Sequence, residues 1–87
     1  MQSNQIFPEH PVICVIGLGY VGLPLAVEFG KIYKTVGYEI NKKRIHQLNK
    51  GTDITLELDR GSLADAEKLS YTYDIGKIRP CDIYIVT

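Results

Sequence analysis

The chain has 87 residues, of which 45% are hydrophobic and 23% charged, and its formal net charge is zero. This composition is typical of a globular protein and excludes a disordered or fibrous chain. The balanced charge gives no reason to expect nucleic acid or an anionic membrane as a partner, and no apolar run approaches the ~20 residues that span a bilayer. Residues 1–11 are polar and lack a secretory signal, so we interpret them as a leader and expect a cytoplasmic protein.

The first regular elements flank a glycine-rich segment. Val12–Ile16 is a continuous apolar run rich in β-branched residues, which predicts a strand buried on both faces of a parallel sheet. From about Tyr20 to Tyr33, apolar residues recur at helical spacing and predict a helix. The stripe that we expect to face the core is formed by Gly22, Leu25, Ala26, Phe29 and Tyr33.

The chain then repeats the order of strand and helix. Thr35–Ile40 predicts a second strand, and Asn41 is a good N-cap for a helix that continues to Lys50. Ile45 and Leu48 are the expected inward pair of this helix.

The second half of the chain is less regular. Residues 52–61 give no clear assignment, and the segment TLEL within them fits either a short strand or an extended loop. The later predictions are a short helix from a Ser62/Asp65 capping box to about Leu69, a strand at Ser70–Tyr73, a turn over 74–80 with room for one helical turn, and a fourth strand at Asp82–Thr87. This alternation predicts an α/β fold, a Rossmann-like doubly wound parallel sheet with strand order 3-2-1-4, truncated after the fourth strand.

The glycines at the first strand-to-helix junction have the spacing Gly17-x-Gly19-x-x-Gly22. In a dinucleotide fingerprint, the first glycine allows a sharp turn out of the strand and the second lets a pyrophosphate approach the backbone. The third lets the helix pack closely on the sheet. The first amides of the helix then face the phosphates, and the helix dipole favours their negative charge. The spacing therefore predicts a dinucleotide site, and residues 12–87 are interpreted as part of an NAD-binding domain.

An acidic residue at the end of the second strand supports this interpretation. Glu39 follows Gly17 by 22 residues, where a carboxylate can accept hydrogen bonds from both ribose hydroxyls and repel a 2′-phosphate. NAD is therefore favoured over NADP, although Lys42, Lys43 and Arg44 are basic groups that could accept that phosphate. The alternative is that the glycines serve only packing and that Glu39 is a solvated carboxylate.

The segments VIGLGYVGLPLAVEFG and VGYEINKKRIHQLNKG resemble the N-terminal part of the nucleotide-sugar 6-dehydrogenases, the UDP-glucose/GDP-mannose dehydrogenase family. The resemblance covers about residues 12–87, and GTDITLEL is more similar to members that act on UDP-N-acetylhexosamines for surface polysaccharide synthesis. It implies oxidation of the sugar C6 alcohol to a carboxylate with two NAD+. The cofactor-binding residues implied by the resemblance are Gly17, Leu18, Gly19, Tyr20, Val21, Gly22, Glu39, Arg44 and Thr87.

The same resemblance maps no catalytic residue onto this chain, because the family's cysteine, lysine, asparagine and aspartate are expected beyond the fourth strand. The UDP-sugar is therefore expected as a partner of a full-length parent only, and the fragment is expected to be inactive. Cys14 and Cys81 are interpreted as inert, with no metal-ligand spacing, although a disulfide between neighbouring strands is conceivable. His46 is expected to be solvated and His10 to lie in the leader.

Two other functions remain open at this point. The chain could be a nucleotide-sensing Rossmann module without chemistry of its own. It could also be a packed fragment that binds little, whose apolar fourth strand at the sheet edge pairs with a second copy to form a homo-oligomer.

Overall fold

The computed structural model describes residues 9–50 and 60–87. The leader up to residue 8 and the TLEL segment lie outside the described residues. The described elements, in chain order, are β1 (Ile13–Ile16), α1 (Gly22–Gly30), β2 (Thr35–Tyr38), α2 (Lys42–Asn49), α3 (Arg60–Asp65), β3 (Leu69–Thr72), a 3-10 helix (Ile75–Ile78) and β4 (Ile83–Val86).

The four strands form one parallel sheet in the order β3-β2-β1-β4, which confirms the predicted α/β fold and strand order. Ile13 of β1 pairs with Thr35 in β2 and with Ile83 in β4. The strands are in step, so the residues that follow them emerge side by side at the carboxyl edge of the sheet. β4 forms one edge of the sheet, and pairing of two copies through it stays a prediction.

Helix α1 is shorter than predicted, and its buried face only partly matches the predicted one. It ends at Gly30 rather than Tyr33, and the Gly30 carbonyl oxygen accepts a hydrogen bond from the Lys68 amide at 3.0 Å. Gly30 also lies close to the start of β3, since a Cβ built on it would lie 2.6 Å from the Leu69 Cβ. The predicted stripe is confirmed in part: Gly22 and Ala26 are buried and the half-buried Phe29 packs against the core, whereas Tyr33 is 38% exposed. In a helix that is apolar on nearly all sides, spacing alone does not select the inward face. The buried residues are Gly22, Leu23, Ala26, Val27 and Gly30.

The capping of the second helix follows the prediction, and that of the third does not. Asn41 caps α2, its Oδ1 accepting a hydrogen bond from the Arg44 amide at 3.2 Å, and Ile45 and Leu48 are both buried. The predicted capping box at Ser62 is wrong, because α3 already begins at Arg60. It ends at Asp65 and not near Leu69, because Leu69 is the first residue of β3 and pairs with Thr35.

The main core lies between one face of the sheet and the helices. It is formed by Ile13, Val15, Leu18, Leu23, Ala26, Val27, Ile45, Leu48, Leu63 and Ala66. Among the described residues, no helix combines the length and the apolar character needed to cross a membrane.

The opposite face of the sheet carries a smaller cluster around two cysteines. Cys14 in β1 and Cys81 before β4 are both buried and unbridged, and they pack with Ile78. Burial, and after it the neighbouring Cys81 thiol, raise the pKa of the Cys14 thiol from 9.0 to about 12. Burial also raises the pKa of Cys81. Both thiols are therefore protonated at neutral pH, as expected for inert cysteines.

The raised pKa values of these thiols predict a loss of stability in alkaline solution. The unfolded chain releases the Cys14 proton above about pH 9, while the folded chain keeps it up to about pH 12, so the free energy of unfolding falls as pH rises through this window and is unaffected below it. The contribution of Cys14 to this loss stays below the ~1.4 kcal/mol per pH unit available to one thiol. Urea unfolding at pH 8 and pH 10 measures it. Cys14→Ala should show a smaller pH dependence, and equal slopes in the two chains would contradict the assignment.

Candidate functional site

The sequence-predicted site residues meet at the carboxyl edge of the sheet. The turn after β1, Glu39 after β2 and Thr87 after β4 follow neighbouring parallel strands that end in step. Ligands of open α/β sheets bind outside the carboxyl ends of the strands, where the strand order reverses. That reversal occurs here at β1, between β2 and β4.

The turn begins with a backbone conformation that favours glycine. Gly17 has a φ of +93°, in the left-handed region that L side chains rarely adopt. Its amide donates to the Tyr38 carbonyl oxygen at 2.8 Å, and its own carbonyl oxygen accepts from the Thr87 hydroxyl at 2.8 Å. The first glycine thus turns the chain while its peptide groups remain bonded to the ends of both neighbouring strands.

Gly22 is required by the turn itself rather than by the sheet. A Cβ built on Gly22 would overlap the carbonyl oxygen of Gly17 and approach the Thr87 Oγ1 to 2.6 Å. The sequence assigned this glycine to packing of the helix on the sheet. In the structure the missing side chain lets the start of α1 lie close to the residues that directly follow β1 and β4.

Gly19 differs from its neighbours in having open space around it. No atom of the described residues outside its chain neighbours lies within 4 Å of a Cβ built there. Tyr20 and Val21, which follow it, are 67% and 70% exposed. The backbone at Gly19 is therefore accessible from solvent, which is the property that close approach by a ligand requires.

The Leu18 side chain, by contrast, points away from the open side. It is fully buried and packs over Gly37 in β2, where a built Cβ would lie 3.0 Å from the Leu18 Cδ1. Sequence reasoning did not assign a role to Gly37, although a glycine inside a predicted strand is the signal of a close approach. Leu18 can thus offer a ligand only its main chain.

Glu39 is half-buried and faces the turn. Its Oε1 accepts a hydrogen bond from the Leu18 amide at 3.0 Å, and its Oε2 accepts one from the Asn41 amide at 3.0 Å. An ionised carboxylate has about four lone-pair positions, so each oxygen can accept a further bond. The carboxylate is thereby held in one orientation at the edge of the crevice.

Arg44 lies behind the turn, in a place that the sequence did not indicate. Only 6% of the residue is exposed, and its Nε and Nη2 donate to the Leu18 carbonyl oxygen at 3.0 and 2.7 Å. The resemblance implied a basic group that flanks the adenosine. The structure shows a guanidinium bonded to the backbone of the glycine turn.

The other candidate groups make contacts of their own. His46 is exposed and near the Tyr73 ring, over which the Lys42 ammonium also lies, 5.2 Å from the ring centroid. A shallow pocket lined by residues including His10 and Lys34 lies at the amino edge of the sheet. Within the described parts of the chain, no group of three or more His, Cys, Asp or Glu side chains is placed to hold a metal ion.

The contrast between Gly19 and Gly22 can be tested by stability alone. Gly22→Ala should lower the free energy of unfolding by about 2 kcal/mol or more, because its Cβ overlaps the Gly17 carbonyl. Gly19→Ala should change it by less than about 1 kcal/mol, because the added methyl group enters open space. Urea unfolding of both variants measures the difference, and equal effects would show that the turn differs from the one described.

Known proteins include relatives that are similar to this chain in sequence. The chain is 53% identical over 75 residues to a UDP-N-acetyl-D-glucosamine 6-dehydrogenase of Salmonella typhi and 51% identical over 75 residues to one of Pseudomonas aeruginosa. Each match covers 86% of this chain and 18% of the relative. The chain thus spans about a fifth of the length of these relatives.

A solved structure shows the same fold. The UDP-D-ManNAc dehydrogenase of Pyrococcus horikoshii superposes with a TM-score of 0.80 at 33% identity, over 87% of this chain and 19% of that one. The sequence profile described as the NAD binding domain of the UDP-glucose/GDP-mannose dehydrogenase family matches residues 11–87. This chain therefore belongs to the UDP-glucose/GDP-mannose dehydrogenase family and carries its NAD-binding domain.

Proposed function

We propose that the chain binds NAD at the turn between β1 and α1, as the cofactor-binding part of a UDP-N-acetylhexosamine 6-dehydrogenase. The observation that carries the proposal is the exposed main chain at Gly19. The amide of the preceding residue, Leu18, donates a hydrogen bond to the Glu39 carboxylate. Family membership and the names of the two bacterial relatives support the choice of cofactor and of sugar class.

The pyrophosphate would lie over Gly19, where no side chain intervenes. The first amide donors of a helix have no partner within the helix. In α1, which begins three residues after Gly19, the Leu23 amide donates to the Gly19 carbonyl oxygen at 3.2 Å. The helix dipole places partial positive charge at the same end. The exposed Tyr20 and Val21 would lie beside the phosphates, and the Thr87 hydroxyl, bonded to Gly17, would face them from β4.

The adenosine ribose would bind at Glu39. Both oxygens of this carboxylate are oriented by backbone amides, so its remaining lone pairs have fixed directions in which hydroxyl groups can donate. A phosphate on the 2′ position would meet this negative charge. The Arg44 guanidinium, a positive charge that could offset this repulsion, donates to the Leu18 carbonyl oxygen behind the turn. We therefore expect NAD to be preferred over NADP.

The sugar oxidation belongs to a larger protein in this proposal. Bound NAD+ accepts a hydride, and the residues of this chain bind and orient it. The family profile assigns residues 11–87 to cofactor binding, and the relatives are about five times longer. A role in surface polysaccharide synthesis in the cytoplasm stays part of the proposal.

Calorimetric titration with NAD+ and NADP+ tests the site. We expect binding of NAD+ to be at least about tenfold tighter than that of NADP+, the effect of roughly 1.4 kcal/mol of charge repulsion at Glu39. Glu39→Ala should weaken NAD+ and reduce this preference, while Glu28→Ala is a control that removes an exposed carboxylate from α1. Absence of NAD+ binding by the wild-type chain would refute the proposed site.

An activity assay tests the separation of binding from chemistry. The 87-residue chain should form no NADH when mixed with NAD+ and UDP-N-acetylglucosamine, UDP-N-acetylmannosamine or UDP-glucose. Absorbance at the NADH maximum measures this, with a complete nucleotide-sugar dehydrogenase as the positive control. Enzyme-dependent NADH formation with any of these sugars would show that the chain carries catalytic groups of its own.

A further inference from the structure

The Thr87 side chain, directly after β4, bonds to the first residues of the glycine turn. Its Oγ1 lies 2.8 Å from the Gly17 carbonyl oxygen and 3.0 Å from the Ile16 carbonyl oxygen. The Ile16 carbonyl already accepts a bond from the Thr87 amide at 3.0 Å, which continues the ladder between β1 and β4. A hydroxyl has one proton to donate, so we assign it to the nearer oxygen, that of Gly17.

Two glycines of the turn make the space in which this hydroxyl lies. A Cβ built on Gly17 would lie 3.1 Å from the Thr87 Oγ1, and one built on Gly22 would lie 2.6 Å from it. The Thr87 residue is exposed as a whole, yet its hydroxyl lies directly against both glycines. The residue after β4 and the glycine spacing therefore form one structural unit.

A single peptide unit links Thr87 to the Glu39 carboxylate. The Gly17 carbonyl and the Leu18 amide belong to one planar trans peptide, in which the C=O and the N–H point in opposite directions. Thr87 holds the oxygen end, and at the other end the Leu18 amide donates to the Glu39 Oε1 at 3.0 Å. Hydrogen bonds in such a series polarise one another, so the bond from Thr87 strengthens the bond to Glu39.

This peptide depends on its two bonds because a glycine precedes it. Gly17 has no Cβ and adopts positive and negative φ about equally readily, so its own sterics do not fix the orientation of the peptide that follows. The bonds at the two ends do so instead. If the peptide rotated, the Leu18 N–H would turn away from Glu39 and would no longer orient the carboxylate.

We propose that Thr87 is a positioning residue for ribose recognition, whose hydroxyl fixes the peptide between Gly17 and Leu18 and, through it, the direction of the Glu39 carboxylate. The proposal rests on the proposed function, because it assumes that Glu39 binds the adenosine ribose. The strand on one side of β1 thereby sets the geometry of the acid that follows the strand on its other side.

A double-mutant cycle between residues 87 and 39 tests this coupling, because residues that act through one network have non-additive effects. In the 87-residue chain, Thr87→Ala removes the hydroxyl and Thr87→Ser keeps it without the methyl group. Each is compared with Glu39→Ala and with the double variant Thr87→Ala/Glu39→Ala. Ser70→Ala is the matched control, since it removes an exposed hydroxyl from β3 at the opposite edge of the sheet. Calorimetry or ligand-observed NMR measures NAD+ affinity, and the Leu18 amide resonance is recorded without ligand.

We expect Thr87→Ala to weaken NAD+ binding by about three- to tenfold, the effect of losing one neutral hydrogen bond. Thr87→Ser and Ser70→Ala should match the wild type. In the Glu39→Ala background, Thr87→Ala should have little further effect, because the carboxylate through which it acts is gone. Without ligand, the Leu18 amide proton should shift upfield in Thr87→Ala, since its bond to Glu39 is weaker, and should stay in place in Thr87→Ser. Unfolding curves show that each variant compared is folded.

Other results would overturn the proposal. Equal losses of NAD+ affinity with and without Glu39 would mean that Thr87 acts on the ligand independently of the carboxylate. A loss in Thr87→Ser as large as that in Thr87→Ala would assign the effect to the methyl group. An unmoved Leu18 resonance in Thr87→Ala would show that the peptide is held without the hydroxyl. If Thr87→Ala does not fold, Thr87→Val takes its place in the same cycle. A wild-type chain that does not bind NAD+ refutes the proposed function, and the Leu18 resonance then decides alone whether Thr87 holds the peptide.

Discussion

The geometry at the carboxyl edge of the sheet depends on one residue, Leu18. Its side chain lies in the core, and its peptide groups form part of the turn. Its side chain is fully buried over Gly37, and its amide and carbonyl are bonded to Glu39 and Arg44. A residue held by its side chain and by both peptide groups has little freedom. The exposed backbone at Gly19 can therefore keep one orientation although no described atom packs against its open side.

Each glycine around this turn is needed for a different structural reason. Gly17 has a positive φ, Gly22 avoids overlap with the Gly17 carbonyl, and Gly37 leaves room for the Leu18 side chain. Gly19 leaves space on the solvent side. Preorganised donors bind an anion without the cost of ordering them at the moment of binding. The turn is thus built from main-chain groups that are bonded to side chains of the surrounding elements.

The part of the fold that was predictable from sequence depends on local patterns. The β-branched run before the glycines, the Asn41 cap and the inward pair of α2 were all recognised, because a strand, a cap and an amphipathic stripe are each encoded within a few residues. The buried face of α1 was predicted only in part, because its apolar residues surround the helix axis. The start of α3 was also wrong, since one serine-acid pair is weak evidence for a cap.

The sequence by itself determined the alternation of strands and helices, the glycine spacing and the presence of an acid after the second strand. Those features fix the class of fold and the position of the turn. Tertiary structure alone decided that Arg44 is buried on the Leu18 carbonyl, that Leu18 points into the core and that Thr87 bonds to Gly17. The reason is that these contacts join residues 26 and 70 positions apart, and such pairs meet only when the register of the parallel strands brings them to one edge.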